Sequence, residues 1–335
     1  NQERCDGGAC ERLHSFEGNP IHVGLRQERQ ASLNTGRISS MYVSVTEMLK
    51  HASTNNYAVP APNCPDFNTM RAALMAAQEE HSAVLIDISP RQMNMHIAPE
   101  VAAAMVRAAA EPLDVPVALQ LDHGIEFEDI CRCIKAGYTS VMVDSSSLPF
   151  EENVRRVSQI VSLAHAHGVS VEAELGHVGQ AAAGDGRSAD MYTKVDMAVE
   201  FIERTGCDAL AVAIGTAHGN YPKDFVPKLD FERLHELKQA VGNYPLVLHG
   251  GSGAGDENFK KAVEGGINKV NLWTDYSAAY VRGLREELAA EEKPDYMLLS
   301  RAVESKASDW LRHYMRLFGS SGRYRFGEEK LEATD

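Results

Sequence analysis

The stretch that decides the fold is Pro116-Val-Ala-Leu-Gln-Leu-Asp122-His123-Gly124. It begins as an apolar run, which is typical of a strand that is buried on both faces. It then ends on a carboxylate, an imidazole and a glycine. Burying the side chains of Asp122 and His123 without partners would cost on the order of several kcal/mol. We therefore expect a metal ion or a substrate to meet these two side chains at the end of the strand.

From residue 41 onward, similar strands alternate with stretches of helical period, as a parallel α/β sheet or barrel requires. The β-rich runs cover residues 57–61, 83–89, 115–121, 140–144, 169–175, 209–215, 245–249 and 269–273. Eight strand–helix units predict a (β/α)8 TIM barrel, and an open doubly wound sheet is the alternative. Helical patterns beyond Pro294 predict extra C-terminal helices, packed on the barrel or on a partner subunit.

The pattern also predicts the domain boundaries. Residues 1–40 contain scattered arginines and no periodic apolar pattern, so we expect an N-terminal extension outside the fold. Residues 41–326 form the predicted TIM-barrel domain, and residues 327–335 form a polar C-terminal tail. No linker or repeat divides the domain further.

The composition restricts the class of protein. A chain of 335 residues with 44% hydrophobic residues can bury a large core. Its formal net charge of −14 argues against a nucleic-acid partner and against binding to an anionic membrane. No apolar run approaches the roughly 20 residues that span a bilayer. The six cysteines have no disulfide-framework spacing, so we predict reduced thiols in a cytoplasmic protein.

Three histidines occupy the same kind of position as the end of the opening stretch. His123, His218 and His249 follow the third, sixth and seventh predicted strands, and a glycine follows each of them. In a barrel these strand ends meet on the C-terminal face, where barrel enzymes build their active sites. Three imidazoles with one open position are a common catalytic zinc set. The three residues therefore predict a metal site.

Acidic residues flank this predicted site. Asp122 either transfers a proton to or from a substrate hydroxyl or orients a histidine. Glu172 and Glu174 alternate on strand five and so share one face. Either Glu174 contacts the metal, or both glutamates hydrogen-bond the histidines, or they are solvated at a frayed strand end. Asp144, at the end of strand four, is a weaker candidate of the same type.

Two glycine-rich or polar turns predict phosphate binding. Gly250-Gly251-Ser252-Gly253 follows strand seven, and the turn from Asn271 to Asp275 follows strand eight. Barrels commonly hold phosphate at these two loops through exposed backbone N–H groups. We add Asn63, at the end of strand one, as a further substrate-binding candidate.

At this point the motifs resemble those of the zinc-dependent, class II ketose-bisphosphate aldolases, which include fructose- and tagatose-bisphosphate aldolases. The resemblance extends from about Met41 to Gly322. Six motifs in the family order carry it, namely residues 121–124, 150–154, 171–176, 214–219, 248–253 and 271–275.

The resemblance implies reversible cleavage of a phosphorylated ketose to dihydroxyacetone phosphate and an aldehyde. It implies that Asp122 is the proton-transferring acid. It also implies a Zn2+ ion bound by His123, His218 and His249, with Glu174 as an alternative ligand. This ion polarises the ketone and stabilises the enediolate. It also implies a homodimer or homotetramer and a monovalent cation, Na+ or K+, near the phosphate. The groups implied to hold the dihydroxyacetone phosphate are Gly219, Gly250, Gly251, Ser252, Asn271 and Thr274, to which we add Asp275.

Three positions depart from the family pattern. The segment after Glu-Leu-Gly has alanines where relatives carry an acid that moves the carbon-bound proton, and Asp185 or Asp190 is the candidate replacement. Trp273 stands where a small or acidic residue is common, and Ser147 stands where many relatives have histidine. These departures leave the particular ketose and aldehyde open.

Two other functions compete with aldol cleavage. A barrel isomerase or epimerase would use zinc and Asp122 to enolise a sugar phosphate without cleaving it. A non-catalytic protein that binds sugar phosphate would have lost its second proton-transfer acid. Release of dihydroxyacetone phosphate that a chelator abolishes would separate aldol cleavage from both.

Overall fold

The computed structural model describes residues 41–180, 191–219, 221 and 225–324. These residues form eight parallel strands that close into a barrel, with helices around the outside. The predicted TIM barrel with additional C-terminal helices is therefore confirmed. The predicted boundaries at residues 40 and 326 adjoin segments outside the described residues and stay predictions.

The elements follow the alternation expected from the sequence. The barrel strands are β1 (Val59–Pro62), β2 (Val84–Ile88), β3 (Val117–Gly124), β4 (Ser140–Val143), β5 (Ser170–Leu175), β7 (Ala209–Val212), β9 (Leu246–Leu248) and β10 (Ile267–Leu272). Two short strands, β6 (Gly179–Gln180) and β8 (Ala217–His218), pair with each other above the barrel wall.

The helices lie between these strands and after the last one. They are α1 (Val45–Thr54), α2 (Phe67–Glu79), α3 (Pro90–Met95), α4 (Pro99–Ala110), α5 (Phe127–Ala136), α6 (Phe150–His165), α7 (Val195–Thr205), α8 (Phe231–Val241), α9 (Asp256–Glu264), α10 (Thr274–Ala290) and α11 (Tyr296–Leu317). None of the helices in the described part of the chain combines the length and the apolarity needed to span a bilayer.

The order of strands around the ring determines how far apart the loops on the C-terminal face lie. The order is β1-β10-β9-β7-β5-β4-β3-β2, and β2 then meets β1 again. A bridge between Asn63 and Asp87 makes this closure, and the Cys64 backbone N–H donates to the carbonyl of Asp87 at 2.9 Å. Consequently β2 lies four strands from β7 in either direction around the ring.

Apolar side chains fill two layers of the structure. The larger layer lies between the strands and the surrounding helices. The smaller one fills the lower barrel, where Leu85, Met142 and Val247 pack with Met48 and Leu49 of α1. Helix α1 begins at a Ser44 cap and lies against these inward side chains. The lower half of the barrel is thus solid, and room for chemistry is left at the opposite end.

The last helix is anchored to the barrel by a buried acid. Glu80, at the end of α2, accepts hydrogen bonds from Arg312, Arg316 and Ser321. Its backbone carbonyl also accepts from the N–H of Gly322 at 2.7 Å. The C-terminal helices therefore pack on the barrel of the same chain.

The structure differs from the sequence expectation at two places that bear on function. The short helix α3 follows β2 where no element was expected, because Ser89 and Gln92 form a capping box around Pro90. Strand β3 continues through Asp122 and His123 to Gly124 and does not end at Leu121. Its pairing with β4 shifts in register between Leu121 and Gly124, which marks a β-bulge.

Candidate active site

The bulge at the end of β3 explains how two consecutive polar residues reach one cavity. His123 has φ of 50°, a left-handed conformation that is uncommon for a residue other than glycine. Gly124 follows where an added Cβ would lie 2.6 Å from the carbonyl oxygen of Met142. Regular alternation would send Asp122 and His123 to opposite faces. The bulge instead turns both side chains toward the cavity.

The three predicted histidines lie together above the barrel. The ring centroid of His123 is 4.8 Å from that of His218 and 4.7 Å from that of His249. One nitrogen from each ring belongs to a set of candidate ligand atoms that all lie within 4.8 Å of one another. A second such set combines His123 with Asp144 and Glu174.

Two carboxylates determine which nitrogen of each ring faces the common centre. His123 donates from Nδ1 to Asp144 at 2.8 Å, and His249 donates from Nε2 to Glu172 at 2.8 Å. In neutral rings, the Nε2 of His123 and the Nδ1 of His249 then both carry lone pairs, and these atoms are 3.0 Å apart. A cation therefore belongs between these two nitrogens, either a proton on His123 or a metal ion. The donor set fits a metal ion held by neutral imidazoles.

The electrostatics of the cluster favour a cation. Burial lowers the pKa of His123, but Asp122, Asp144 and Glu174 outweigh it and raise that pKa to about 10. Burial and the neighbouring rings lower the pKa of His218 to about 3. Burial, together with the charge of Asp144, raises the pKa of Glu174 to about 8. The carboxylates thus attract positive charge to the centre, while His218 stays neutral.

Asp122 is held as a charged acceptor beside the histidines. Its side chain is buried, and it accepts hydrogen bonds from the amides of Asn63 and Asn271, both at 2.9 Å. One carboxylate oxygen lies 3.9 Å from Nε2 of His123. Burial alone would raise the pKa of Asp122, but the charges of His123, His249 and Lys269 lower it overall. An ionised carboxylate in this position can accept a proton.

The two glutamates of β5 have different partners, although they share one face. Glu172 is paired below the histidines with His249 and Lys269. Glu174 accepts from the Val178 N–H at 3.3 Å through one oxygen, while its other oxygen is buried without a hydrogen-bond partner among the described residues. That buried oxygen supports Glu174 as a candidate ligand, because an unpaired buried carboxylate oxygen is costly.

A buried ionic layer separates the histidines from the apolar lower barrel. Lys269, fully buried on β10, donates to Glu172 at 2.8 Å and lies 3.6 Å from Asp87. Gln120 donates to the same Glu172 oxygen at 3.2 Å. Sequence reasoning missed Lys269, although its spacing of two residues from Asn271 places both on one face of a strand. That spacing is the signal that could have revealed it.

The glycines after β9 let two backbone segments of the site lie in close contact. A Cβ at Gly250, which has φ of 65°, would lie 2.6 Å from the Ala217 backbone. The hydroxyl of Tyr221 accepts from the Ala217 N–H at 2.7 Å and donates to the Gly250 carbonyl at 3.2 Å. Thr216 also donates to the His249 carbonyl at 2.6 Å. These contacts fix the His218 and His249 segments against each other.

The three histidines, Asp122, Glu174 and the glycines after β9 surround one cavity of about 540 Å³. This volume lies within the usual range for small-molecule sites. Twelve of the thirteen predicted site residues line it, namely Asn63, Asp122, His123, Glu174, His218, Gly219, His249, Gly250, Gly251, Ser252, Asn271 and Thr274. The remaining one, Asp275, does not line the cavity, and its carboxylate accepts from the Gly253 N–H at 2.8 Å. The structure thus brings the predicted set together, and the role of each residue stays a prediction.

The positions that depart from the expected motifs have different surroundings. Trp273 lines the cavity and is 40% exposed, so it forms part of the wall near Thr274. Ser146 lines the cavity and donates to Asp144, whereas Ser147 is exposed and does not line it. The candidate acids Asp185 and Asp190 lie outside the described residues. Sequence reasoning did not single out Arg91 or Gln92, which also line the cavity.

The barrel, together with this cluster at the C-terminal ends of its strands, defines an enzyme of the TIM-barrel class. Comparison with known proteins identifies the family. The family model described as "Fructose-bisphosphate aldolase class-II" matches residues 43–323. A relative from Bacillus subtilis, named "Probable fructose-bisphosphate aldolase", is 42% identical over 255 residues, covering 76% of this chain and 88% of its own.

Solved structures agree with that assignment. The crystal structure of the YdjI aldolase from Escherichia coli K12 superposes with a TM-score of 0.75 at 33% identity, covering 85% of this chain and 100% of that one. Fructose-bisphosphate aldolase from Campylobacter jejuni shares the fold, with a TM-score of 0.74 at 24% identity, covering 85% of this chain and 97% of its own. The chain belongs to the class II fructose-bisphosphate aldolase family. It is an aldolase, a carbon–carbon lyase.

Proposed function

We propose that this cavity carries out reversible aldol cleavage of a phosphorylated ketose to dihydroxyacetone phosphate and an aldehyde. In this proposal His123, His218 and His249 hold a zinc ion, and Glu174 is an alternative ligand. The observation that carries it is the set of three imidazole nitrogens that lie within 4.8 Å of one another, next to a charged Asp122. Family membership supports zinc, because class II aldolases generally depend on it.

A zinc ion, when bound, supplies a Lewis acid for the substrate carbonyl. The remaining chemistry falls to residues of the chain. Asp122 accepts the proton of the substrate hydroxyl on the carbon that becomes the aldehyde. As that O–H bond breaks, the carbon–oxygen double bond forms, and the carbon–carbon bond releases its electron pair to the dihydroxyacetone phosphate half. That half takes up one proton from solvent at the same carbon, which completes the product. The amides of Asn63 and Asn271 keep the Asp122 carboxylate in place for this transfer.

The phosphate belongs at the glycine-rich side of the cavity. Gly219, Gly250 and Gly251 line the cavity beside Ser252, Asn271 and Thr274. Backbone N–H groups and hydroxyls of this kind bind phosphate oxygens without a local lysine. Asp275 supports the loop by accepting from Gly253, so its contribution to binding is to hold the backbone.

The family resemblance further implies a monovalent cation, Na+ or K+, near the phosphate and a homodimer or homotetramer, and both are part of the proposal. The cysteine pattern of the sequence adds a cytoplasmic location. The four cysteines in the described part of the chain are free thiols, which agrees with a reducing compartment.

Triose release tests the function directly. The protein is stripped with a chelator and reloaded with zinc, and a panel of ketose 1-phosphates and 1,6-bisphosphates is screened for dihydroxyacetone phosphate. We expect release by the zinc-loaded protein and none by the stripped protein. Isomerised or epimerised sugar without triose would overturn the proposal, as would tight sugar-phosphate binding without turnover.

A further inference from the structure

One imidazole in the cavity wall has no role in the chemistry described so far. His177 follows β5, three residues beyond Glu174, and its half-buried side chain lines the cavity. Among the described residues of the wall, it is the one histidine outside the proposed ligand set of His123, His218 and His249. Its ring makes no hydrogen bond, ion pair or ring contact within the described part of the chain. Both ring nitrogens therefore have no partner among those residues.

The backbone around His177 is fixed on both sides. The His177 N–H donates to the Met191 carbonyl at 2.9 Å. Gly176, with φ of 86°, lies where an added Cβ would be 2.8 Å from Oγ1 of Thr193. On the other side of His177, strand β6 pairs with β8, which carries His218. The segment that bears the imidazole is therefore tied to the proposed metal-binding end of the barrel.

The order of strands places His177 between the two ends of the proposed substrate. β5, which precedes His177, is two strands from β3, which carries Asp122, and two strands from β9, which precedes Gly250. In the proposed cleavage the phosphate lies at the glycine loops and the reacting hydroxyl lies at Asp122. The carbon that takes up a proton lies between these two groups in the ketose chain. It therefore faces the part of the wall that carries His177.

The carboxylates of the cavity wall already have other partners or tasks. Asp122 accepts from two amides and meets the substrate hydroxyl in the proposed function. Asp144 is paired with His123, and Glu174 is a candidate metal ligand. Cleavage still requires a proton at the carbon of the dihydroxyacetone phosphate half. Among the described residues of the wall, His177 is the group that remains to transfer it.

We propose that His177 is a catalytic residue that transfers the proton at this carbon. This inference rests on the function proposed above. In cleavage, the imidazolium N–H of His177 gives its proton to the carbon that keeps the electron pair of the broken carbon–carbon bond. The neutral imidazole then takes up a proton from solvent, and in the condensation direction it removes the proton from the same carbon. Histidine is the side chain most often used for such transfers. A histidine in this role differs from the acid that the family resemblance implies.

Hydrogen exchange with solvent isolates this step. Zinc-loaded protein is incubated in deuterium oxide with dihydroxyacetone phosphate and no aldehyde, and deuterium incorporation at the hydroxymethyl carbon is followed by NMR. We expect His177→Asn to slow the incorporation at least about 100-fold relative to the wild type. His235→Asn, at an exposed position of α8 away from the cavity lining, should exchange at the wild-type rate. Equal zinc contents and unfolding midpoints would show that both variants are intact.

The order of events during cleavage gives a second readout. In His177→Asn the carbon–carbon bond can still break, because Asp122 remains, but the dihydroxyacetone phosphate half must wait for its proton. Quenched-flow measurement should therefore show a rapid burst of aldehyde, of up to about one equivalent per active site, before slow turnover. Asp122→Asn should show no burst, because cleavage of the carbon–carbon bond is itself impaired. A purely structural role of His177 would slow the burst and the turnover together.

The outcomes that contradict the two proposals are distinct. Wild-type exchange by His177→Asn would overturn the assignment of this residue, as would a burst slowed together with turnover. Loss of exchange in Asp185→Asn or Asp190→Asn, but not in His177→Asn, would assign the step to that aspartate instead. Failure of the zinc-loaded wild type to release triose from any ketose phosphate would overturn the proposed function. The exchange assay would then still show whether His177 moves the proton.

Discussion

Lys269 and Glu172 form a fully buried ion pair directly below the histidine cluster, with Nζ 2.8 Å from Oε2. The second oxygen of Glu172 accepts the Nε2–H of His249, also at 2.8 Å. Burial raises the pKa of Glu172, but Lys269 and His249 overcome this effect and lower it to about 2. The lysine thereby keeps Glu172 charged, and Glu172 keeps the Nδ1 of His249 directed toward His123.

We expect Lys269→Met to destabilise the fold strongly, because it leaves Glu172 buried without its cation. Breaking one partner of a buried pair typically costs about 3–5 kcal/mol. Urea unfolding monitored by circular dichroism measures the loss. The matched control is Lys261→Met, which removes an exposed partner of Glu257 and should change stability by less than about 1 kcal/mol. Equal effects of the two substitutions would contradict the assigned role of the buried layer.

His249→Ala and Asp122→Asn should separate metal binding from proton transfer. The first variant loses an imidazole of the proposed ligand set, so we expect little retained zinc by elemental analysis. The second keeps the shape of the side chain but removes the proton acceptor, so zinc content should stay near the wild-type value. Its kcat should fall by roughly 10²–10⁴-fold, the usual contribution of acid–base catalysis. Wild-type cleavage by Asp122→Asn would refute its role.

Gly250→Ala tests the close backbone approach beside the predicted phosphate site. The added Cβ would lie 2.6 Å from the Ala217 backbone, so the loop must move. We expect KM for the phosphorylated substrate to rise at least about tenfold because displaced N–H groups lose contact with it. Gly168→Ala is a matched control, since Gly168 has φ of 70° and no neighbour within 4 Å of an added Cβ. It should share the backbone strain of about 1–2 kcal/mol and leave KM unchanged.

The contacts of Glu80 with the last helix, α11, should make the stability of the fold sensitive to acid. Its burial raises the pKa, but hydrogen bonds from Arg316, Ser321 and Arg312 outweigh this and lower it to about 2. Because the folded pKa lies below the unfolded value, the stabilisation is complete above about pH 4.5 and disappears as pH falls toward 2. It amounts to roughly 2–3 kcal/mol.

Comparison with Glu80→Gln isolates this contribution. The difference in unfolding free energy between wild type and variant should be largest near neutral pH. It should shrink progressively as the pH is lowered below about 4.5. A difference that stays constant between pH 7 and pH 3 would show that the charge of Glu80 does not anchor the helix.

The sequence predicts the barrel and most of the cavity because both depend on local patterns. The alternation of eight strands and helices predicts the closed barrel. The residues at the strand ends predict which side chains share its C-terminal face. The predicted runs 83–89 and 169–175 contain the strands Val84–Ile88 and Ser170–Leu175. The His123, His218 and His249 cluster follows from the same rule.

The remaining features depend on contacts between residues far apart in sequence. The β3 bulge could be predicted only from the register of β3 against β4. Alternation along β3 alone therefore could not orient Asp122 and His123. The partners of Lys269 lie on β2 and β5, and no local signal joins them. Arg91 looks like an ordinary surface residue until α3 is placed beside the cavity.

The ionic layer beneath the histidines also affects how such an enzyme can evolve. Asp87, Gln120, Glu172 and Lys269 orient the centre from within the barrel, whereas Trp273 and Ser146 lie in loops at its rim and Arg91 lies on the short helix α3. A substitution at the rim therefore changes the shape or charge that a substrate meets without disturbing the layer that orients His249. New substrates can be acquired one loop residue at a time, while the reaction itself is inherited unchanged.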